Sequence, residues 1–396
     1  MGLLDTLFKK KSSESVTTLP SSSKNEKAEP ILSLRGKPDS FGLYPSELIM
    51  LSTVEKYKTT DTVFPKYLTY DFEIINPVKM IKNLKERGFI EEGGPKDGLS
   101  NCKLTELKYY ANSVDVSSQG SKTAIIKRLS ELDVNAISNV VKDRSWKLTD
   151  KGRAAIKASP YISFFLDKHA YDVREVGVNI WTVNEDYFVD VRRPYRDIIF
   201  RQIEKQMNES FIAYQTAPLS GIALTHKYCN CLLKMSLFVE EEKKYDIALY
   251  FLLQHIYSII NIDAATELLV SYHINDYDKK WQEDAICRYY EAIKLYPFQR
   301  IPLLRLIDEL NMDSDSFKSR MASVFKKADI KGVMTEDEAA LFIIYELNGE
   351  TDKSMEFASG LARTAVKRLR YLPKTNVKIA TIKPKSGSLA GKITVK

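Results

Sequence analysis

The chain is poor in the residues that build metal centres and nucleophilic active sites. Four cysteines and four histidines are spread over 396 residues. One tight group stands out, His226, Cys229 and Cys231. Its H-x-x-C-x-C spacing lacks a fourth ligand, which His255 or His273 would have to bring through the fold. Two thiols two residues apart on a helix also leave it in different directions. Buried packing is the expected role of all three, with no metal. The sequence holds no phosphate-loop string, no glycine-rich nucleotide fingerprint, no nucleophile elbow and no HExxH. Asp313 and Asp315 read as a capping loop, because a calcium loop needs a glycine and a terminal glutamate that are missing. A nuclease needs clustered carboxylates for its metal, and none stands out. These absences predict no catalytic residues and no cofactor. An enzyme assembled from distant residues is the weaker alternative.

The cysteines also lack a paired framework, which suits a reducing compartment and a cytoplasmic location. No uninterrupted apolar run of transmembrane length is read, so no stable membrane insertion is expected. The opening MGLLDTLFKKKSS has a short apolar run and no small-residue cleavage pattern, and makes a poor signal peptide. Leu3, Leu4, Leu7 and Phe8 against Lys9 to Lys11 also fit a brief amphipathic helix, and Gly2 with Thr6 fits the loose myristoylation pattern. A frayed tail is the simpler reading. Residues 1–40 are expected to be a disordered N-terminal segment, Ser/Thr/Lys/Glu-rich with little to bury.

What is present is unevenly placed charge. The formal total is +7. Residues 122–157 hold nine Lys/Arg against four Asp/Glu, and residues 363–396 hold ten Lys/Arg and no acid. The rest of the chain is therefore mildly acidic. A basic patch and a basic tail, residues 374–396, can neutralise phosphates with salt-sensitive affinity. The tail also carries alternating Val377, Ile379 and Ile382, which fit a late strand instead.

The sharpest local pattern is Glu106 to Leu129, ELKYYANSVDVSSQGSKTAIIKRL. Leu107, Tyr110 and Ala111 recur at helical spacing. Ile125, Ile126 and Leu129 give a second helix one apolar side. Gly120 permits the turn between them, and Ser121 is a plausible N-cap. Lys122, Lys127 and Arg128 follow on the second helix. A helix N-terminus with basic side chains suits a phosphate backbone. The plain alternative is a surface hairpin whose lysines are its solvated face.

This segment resembles the SAP motif, a helix-extended-helix module known for binding DNA. The resemblance rests on Glu106-Leu107-Lys108, Gly120, Lys122 and Ile125-Ile126-Lys127-Arg128-Leu129. Two departures stand out. The family usually has Gly where this chain has Asp115, and Lys where it has Ser121. The resemblance implies double-stranded DNA as partner, with Gly120, Ser121, Lys122, Lys127 and Arg128 as the contacting residues. The surroundings add to it. Trp146-Lys147-Leu148 reads as a strand, and Thr149 caps a helix from Asp150. WKLTDKGRAAI resembles the leucine-threonine-x-x-glycine element at the end of winged-helix domains, and ERGFIEEG has the flavour of a helix entering a wing. The combination resembles SAP-containing proteins of phages and mobile elements of low-GC Gram-positive bacteria.

Elsewhere the expected class is mainly α. Asn76-Pro77 opens a helix ending near Gly88, and Val134, Ile137, Val140 and Val141 form another helical face. Residues 41–160 are expected to form a SAP-like, winged-helix-like domain. Residues 161–194 form an aromatic junction better suited to an interface than to base stacking. Residues 195–373 form a multi-helix bundle or stacked helix pairs. Its helices are expected to run from Tyr195, over His226–Val239, Tyr245–Ile260, Ala264–Ile274, Trp281–Leu295 and Ile301–Leu310, and to end with Phe317–Ala328, Glu336–Leu347 and Lys353–Leu372. The run 284–297 resembles a tetratricopeptide helix, without a recurring period. Glu240-Glu241-Glu242 reads as a solvated helix end. The leading expectation is a non-enzymatic DNA-associated protein whose helical body binds a protein partner or itself. A purely structural or interaction protein is the rival, and a phage or plasmid DNA-processing enzyme the third class.

Overall fold

The computed structural model describes residues 34–167, 173–216, 222–274 and 278–369. Most of the expected disordered segment, with its amphipathic and myristoylation readings, lies outside the described residues. So does the basic tail with its alternating apolar positions.

The protein is mainly α-helical. Its first half runs through α1 (Pro45–Thr53), α2 (Tyr67–Phe72), α3 (Pro77–Glu86), the strand β1 (Ile90–Glu92), α4 (Leu104–Ser113), α5 (Lys122–Glu131), α6 (Val134–Ser138), β2 (Trp146–Leu148), α7 (Asp150–Ala158), α8 (Tyr161–Leu166) and α9 (Ile180–Val189). Every residue of α1 except Ser52 is buried. A helix apolar on all sides belongs inside a core, and α3, α7, α8 and α9 pack around it. One charge goes in with it. Glu47 is 1% exposed, accepts the Tyr44 amide at 2.9 Å and meets the Arg87 guanidinium at 2.6 Å.

β1 and β2 pair antiparallel, Ile90 opposite Leu148 and Glu92 opposite Trp146. The Thr149 hydroxyl caps α7 by accepting the Gly152 amide at 3.1 Å, and Asn76 caps α3 by accepting from Lys79. α6 is shorter than expected. It stops at Ser138, but Val141 turns its amide back to the Ile137 carbonyl at 2.8 Å and so still reaches the core.

The second half runs through α10 (Tyr195–Thr216), α11 (Ile222–Glu241), α12 (Tyr245–Ser258), α13 (Ala264–Ile274), α14 (Lys279–Ile293), α15 (Pro297–Glu309), α16 (Ser314–Ala328), α17 (Glu336–Asn348) and α18 (Thr351–Arg368). α10, α11 and α12 pack in succession, and the later helices pack against α12 and against one another. Aromatic contacts join the halves, with Phe164 of α8 against Phe238 of α11 at 6.0 Å between ring centroids.

Three expectations are corrected. The gap between α12 and α13 is no gap, because Ile259–Asp263 continues the helix as a π turn. No Gly or Pro interrupts that stretch, so the extra residue is absorbed without breaking the helix. The buried Asn261 side chain accepts the Met334 amide at 2.8 Å, which docks the loop after α16 onto the turn. Tyr245–His273 is consequently long and apolar enough to cross a membrane by length and composition, and 78% of its most apolar stretch is buried inside the fold. Second, α11, α15 and α16 start at Ile222, Pro297 and Ser314 rather than at His226, Ile301 and Phe317, because proline suits the first helical position of α15 and the Asp313 carboxylate caps α16. Third, the triple glutamate is an ion-pair centre. Glu240 meets Arg305 at 2.6 Å, while Glu241 and Glu242 share Arg196 at 3.3 and 3.0 Å.

Candidate nucleic-acid interface

α4, α5 and α6 have a small core of their own, built on Leu99, Leu107, Ala111, Ile125, Leu129 and Ile137. The Glu106 carboxylate closes the start of α4 by accepting the Lys103 amide at 2.6 Å. After α4 the chain turns sharply, with the Val116 amide returning to the Ala111 carbonyl at 2.9 Å. Two residues of the connection are left-handed, Asp115 at φ 57° and Gly120 at φ 101°. Ser121 then caps α5, its hydroxyl accepting the Ala124 amide at 3.3 Å.

Of the five expected contact residues, Gly120, Ser121 and Lys122 lie together at the exposed start of α5. Arg128 joins them. Its guanidinium folds back to the Gln119 carbonyl, beside Gly120. Lys122 leans the other way and donates to the Ser100 carbonyl at 2.8 Å. Lys127 is exposed. Five positions from Lys122, it lies roughly 140° round the helix. The five therefore do not form one converging set. A group of four surrounds the helix start, and Lys127 stands apart.

Sequence reasoning missed how this unit is held. The Lys58 ammonium reaches Asp143 at 2.8 Å and Glu106 at 3.2 Å. The Asp143 carboxylate, seconded by Glu106, pushes the Lys58 ammonium up from its ordinary range. The Lys103 amide, then Lys58, hold the Glu106 carboxyl below the usual carboxylate range. Asn101 adds bonds to the Glu55 carbonyl at 2.5 Å and the Ser145 hydroxyl at 3.0 Å. Lys58 is 48 positions from Glu106, so no local pattern marks it.

The His226, Cys229 and Cys231 group is spread apart. His226 is mostly exposed and donates from Nδ1 to Asp263 at 3.2 Å, while both thiols are buried. Among the described residues no three His, Cys, Asp or Glu side chains converge. His255 is buried between the Cys229 carbonyl at 2.8 Å and the Gln299 amide at 3.2 Å. The carbonyl accepts from Nδ1–H and the amide donates to Nε2, an arrangement for the neutral ring. Burial pushes the imidazole down to about 4 from its ordinary 6.5. The unfolded chain therefore takes up a proton that the folded one refuses. The contribution of the neutral His255 to stability is fully present above pH 6.5, falls as the pH drops, and is lost as the pH passes about 4. Against a His255→Gln variant followed in parallel by urea unfolding, the wild-type protein should lose about 3 kcal/mol more between pH 7 and pH 4. Parallel pH profiles would reject the buried neutral ring.

No protein-family model matches the chain, and neither a curated protein nor a solved structure matches it.

Proposed function

We propose that this is a DNA-associated protein that grips the backbone of double-stranded DNA through a SAP-like hairpin, α4 to α5. The hairpin sits in surroundings that resemble a winged helix, the β1–β2 pair and α7. The observation that carries the reading is the left-handed pair Asp115 and Gly120. Asp115 stands where the SAP family usually has glycine, and left-handed backbone is where glycine is favoured. That conformation supports the same loop course despite the different residue. Ser121 and the following amides anchor one phosphate, and Lys122, Arg128 and Lys127 meet neighbouring ones. The proposed setting is the cytoplasm, the proposed type that of phage and mobile-element proteins, and the role non-enzymatic. The helical body serves a protein partner or a second copy.

One observation favours a second reading. Lys122 and Arg128 already bond to carbonyls of their own chain, as they would in a hairpin that only packs. A titration decides. Duplex affinity is measured for the intact chain and for the triple variant Lys122→Ala, Lys127→Ala, Arg128→Ala across a range of salt. The variant is expected to bind more weakly, with its log–log salt slope reduced by about 2 to 3 units. Unchanged affinity and slope, with circular dichroism intact, would reject the surface. Absence of duplex binding by the wild type leaves the packing role.

A further inference from the structure

The aim of the Lys122 side chain is set from outside its own helix. Its ammonium donates to the Ser100 carbonyl at 2.8 Å. An ammonium carries three donors. One is spent on Ser100 and steadies the flexible stem, and two remain for phosphate oxygens. Ser100 lies in the single turn Leu99–Asn101 that leads into α4. The body grips that turn through its last residue. The Asn101 side-chain amide donates to the Glu55 carbonyl at 2.5 Å and to the Ser145 hydroxyl at 3.0 Å. Both acceptors are themselves held. The Glu55 carboxylate accepts the Leu148 amide of β2 at 3.0 Å, and Ser145 forms a backbone bridge with Lys58. Lys58 closes the brace by pairing with Glu106 in α4 and Asp143 after α6. The apolar core of the α4–α6 unit, by contrast, draws only on residues between Leu99 and Val141.

We propose that Asn101 is a positioning residue for DNA binding, which fixes the Ser100 carbonyl to the body and so presents the Lys122 ammonium to a phosphate. This rests on the DNA reading above and goes beyond it, since Asn101 carries no charge and acts only through its neighbour. A free lysine stem loses rotamer freedom when it meets a phosphate. A stem already held by Ser100 has less to lose, so its contact is tighter. Lys127 lies about 140° round α5 from Lys122 and takes no part in the brace, which makes it the internal control.

The test is a double-mutant cycle on duplex DNA affinity, with the full chain at fixed salt. Asn101→Leu keeps a branched side chain and the net charge, and removes the donor. It should weaken binding about two- to fivefold, the lower range of coupling between linked side chains. The loss caused by Lys122→Ala should shrink by about the same factor in the Asn101→Leu background. The loss caused by Lys127→Ala should be equal in both backgrounds. Where Asn101→Leu loses helicity by circular dichroism, Ser145→Ala takes its place, removing one of the two acceptors, and should show the same pattern with a smaller factor. An equal Lys122→Ala loss in both backgrounds would overturn the proposal. So would a Lys127→Ala loss that shrinks as well, because it marks a unit loosened as a whole. A wild type without duplex binding rejects the DNA reading and this inference with it, whereas additive losses on a wild type that binds reject this inference alone.

Discussion

Gly152→Ala is expected to destabilise the protein by about 3 kcal/mol, at the upper end of what overpacking costs. A methyl group at Gly152 would stand 2.2 Å from the Phe89 carbonyl oxygen and 3.2 Å from Leu148. The first of these neighbours cannot give way cheaply. The Phe89 carbonyl accepts both the Thr149 amide and the Thr149 hydroxyl at 3.1 Å. That same hydroxyl caps the helix that Gly152 belongs to. Any shift that clears the methyl group strains the cap and the β1–β2 pair together. Gly360, inside α18, supplies the control, because nothing stands within 4 Å of a methyl group there. Gly360→Ala should stabilise by about 0.5 to 1 kcal/mol through helix propensity alone. Urea unfolding of the two variants should move the midpoint in opposite directions. A neutral Gly152→Ala would show that α7 does not press on the Phe89 carbonyl at the entry to β1.

Glu47→Ala should cost a similar amount, about 3 kcal/mol, for a different reason. The carboxylate is buried in α1, and it closes the helix start while it neutralises Arg87. Truncation takes the counter-charge from the Arg87 guanidinium, whose side chain is 31% exposed and lies over the Phe89 ring. It also frees the Tyr44 amide, worth about 1 kcal/mol in an ordinary cap. Arg87 retains the Gly42 carbonyl at 2.6 Å and Asn83 at 3.1 Å. These limit the loss to the lower end of what a broken buried pair costs. Glu47→Gln keeps an acceptor for the amide and removes only the charge, so it should fall between wild type and Glu47→Ala. If both variants unfold at the wild-type midpoint, the pair contributes nothing and Arg87 is held by the Gly42 carbonyl and Asn83 without it.

These two positions differ in how much of their role could be read in advance. The string from Trp146 to Gly152 announced a strand, a cap and a helix, and each of these is present. What the string did not reveal is why its glycine must be glycine. That reason is the Phe89 carbonyl, one residue before β1 and 63 positions earlier. Ser121, Asn76 and Asp313 were legible as caps for the same reason that Thr149 was, since each bonds an amide three residues on. Glu47, inside a run of apolar residues, carried no sign that it would be buried against Arg87.

The same division runs through the rest of the molecule. The amino-acid order by itself determined the helical character, the starts of helices such as α3, α5, α7, α10, α12 and α17, the strand β2 and the turn at Gly120. Each of these depends on hydrogen bonds or apolar spacing within a few residues, where composition acts directly. Tertiary structure decided what the turn Ile259–Asp263 holds, since Asn261 accepts the Met334 amide from a loop more than 70 positions away. It decided that Glu240 to Glu242 bind arginines of α10 and α15 instead of water. It turned Lys122 to the Ser100 carbonyl and Arg128 back to the Gln119 carbonyl, and it tied the α4–α5 unit to the body through Lys58. Ion pairs and buried hydrogen bonds between distant segments leave no periodic trace. They form only once the apolar faces have brought those segments together.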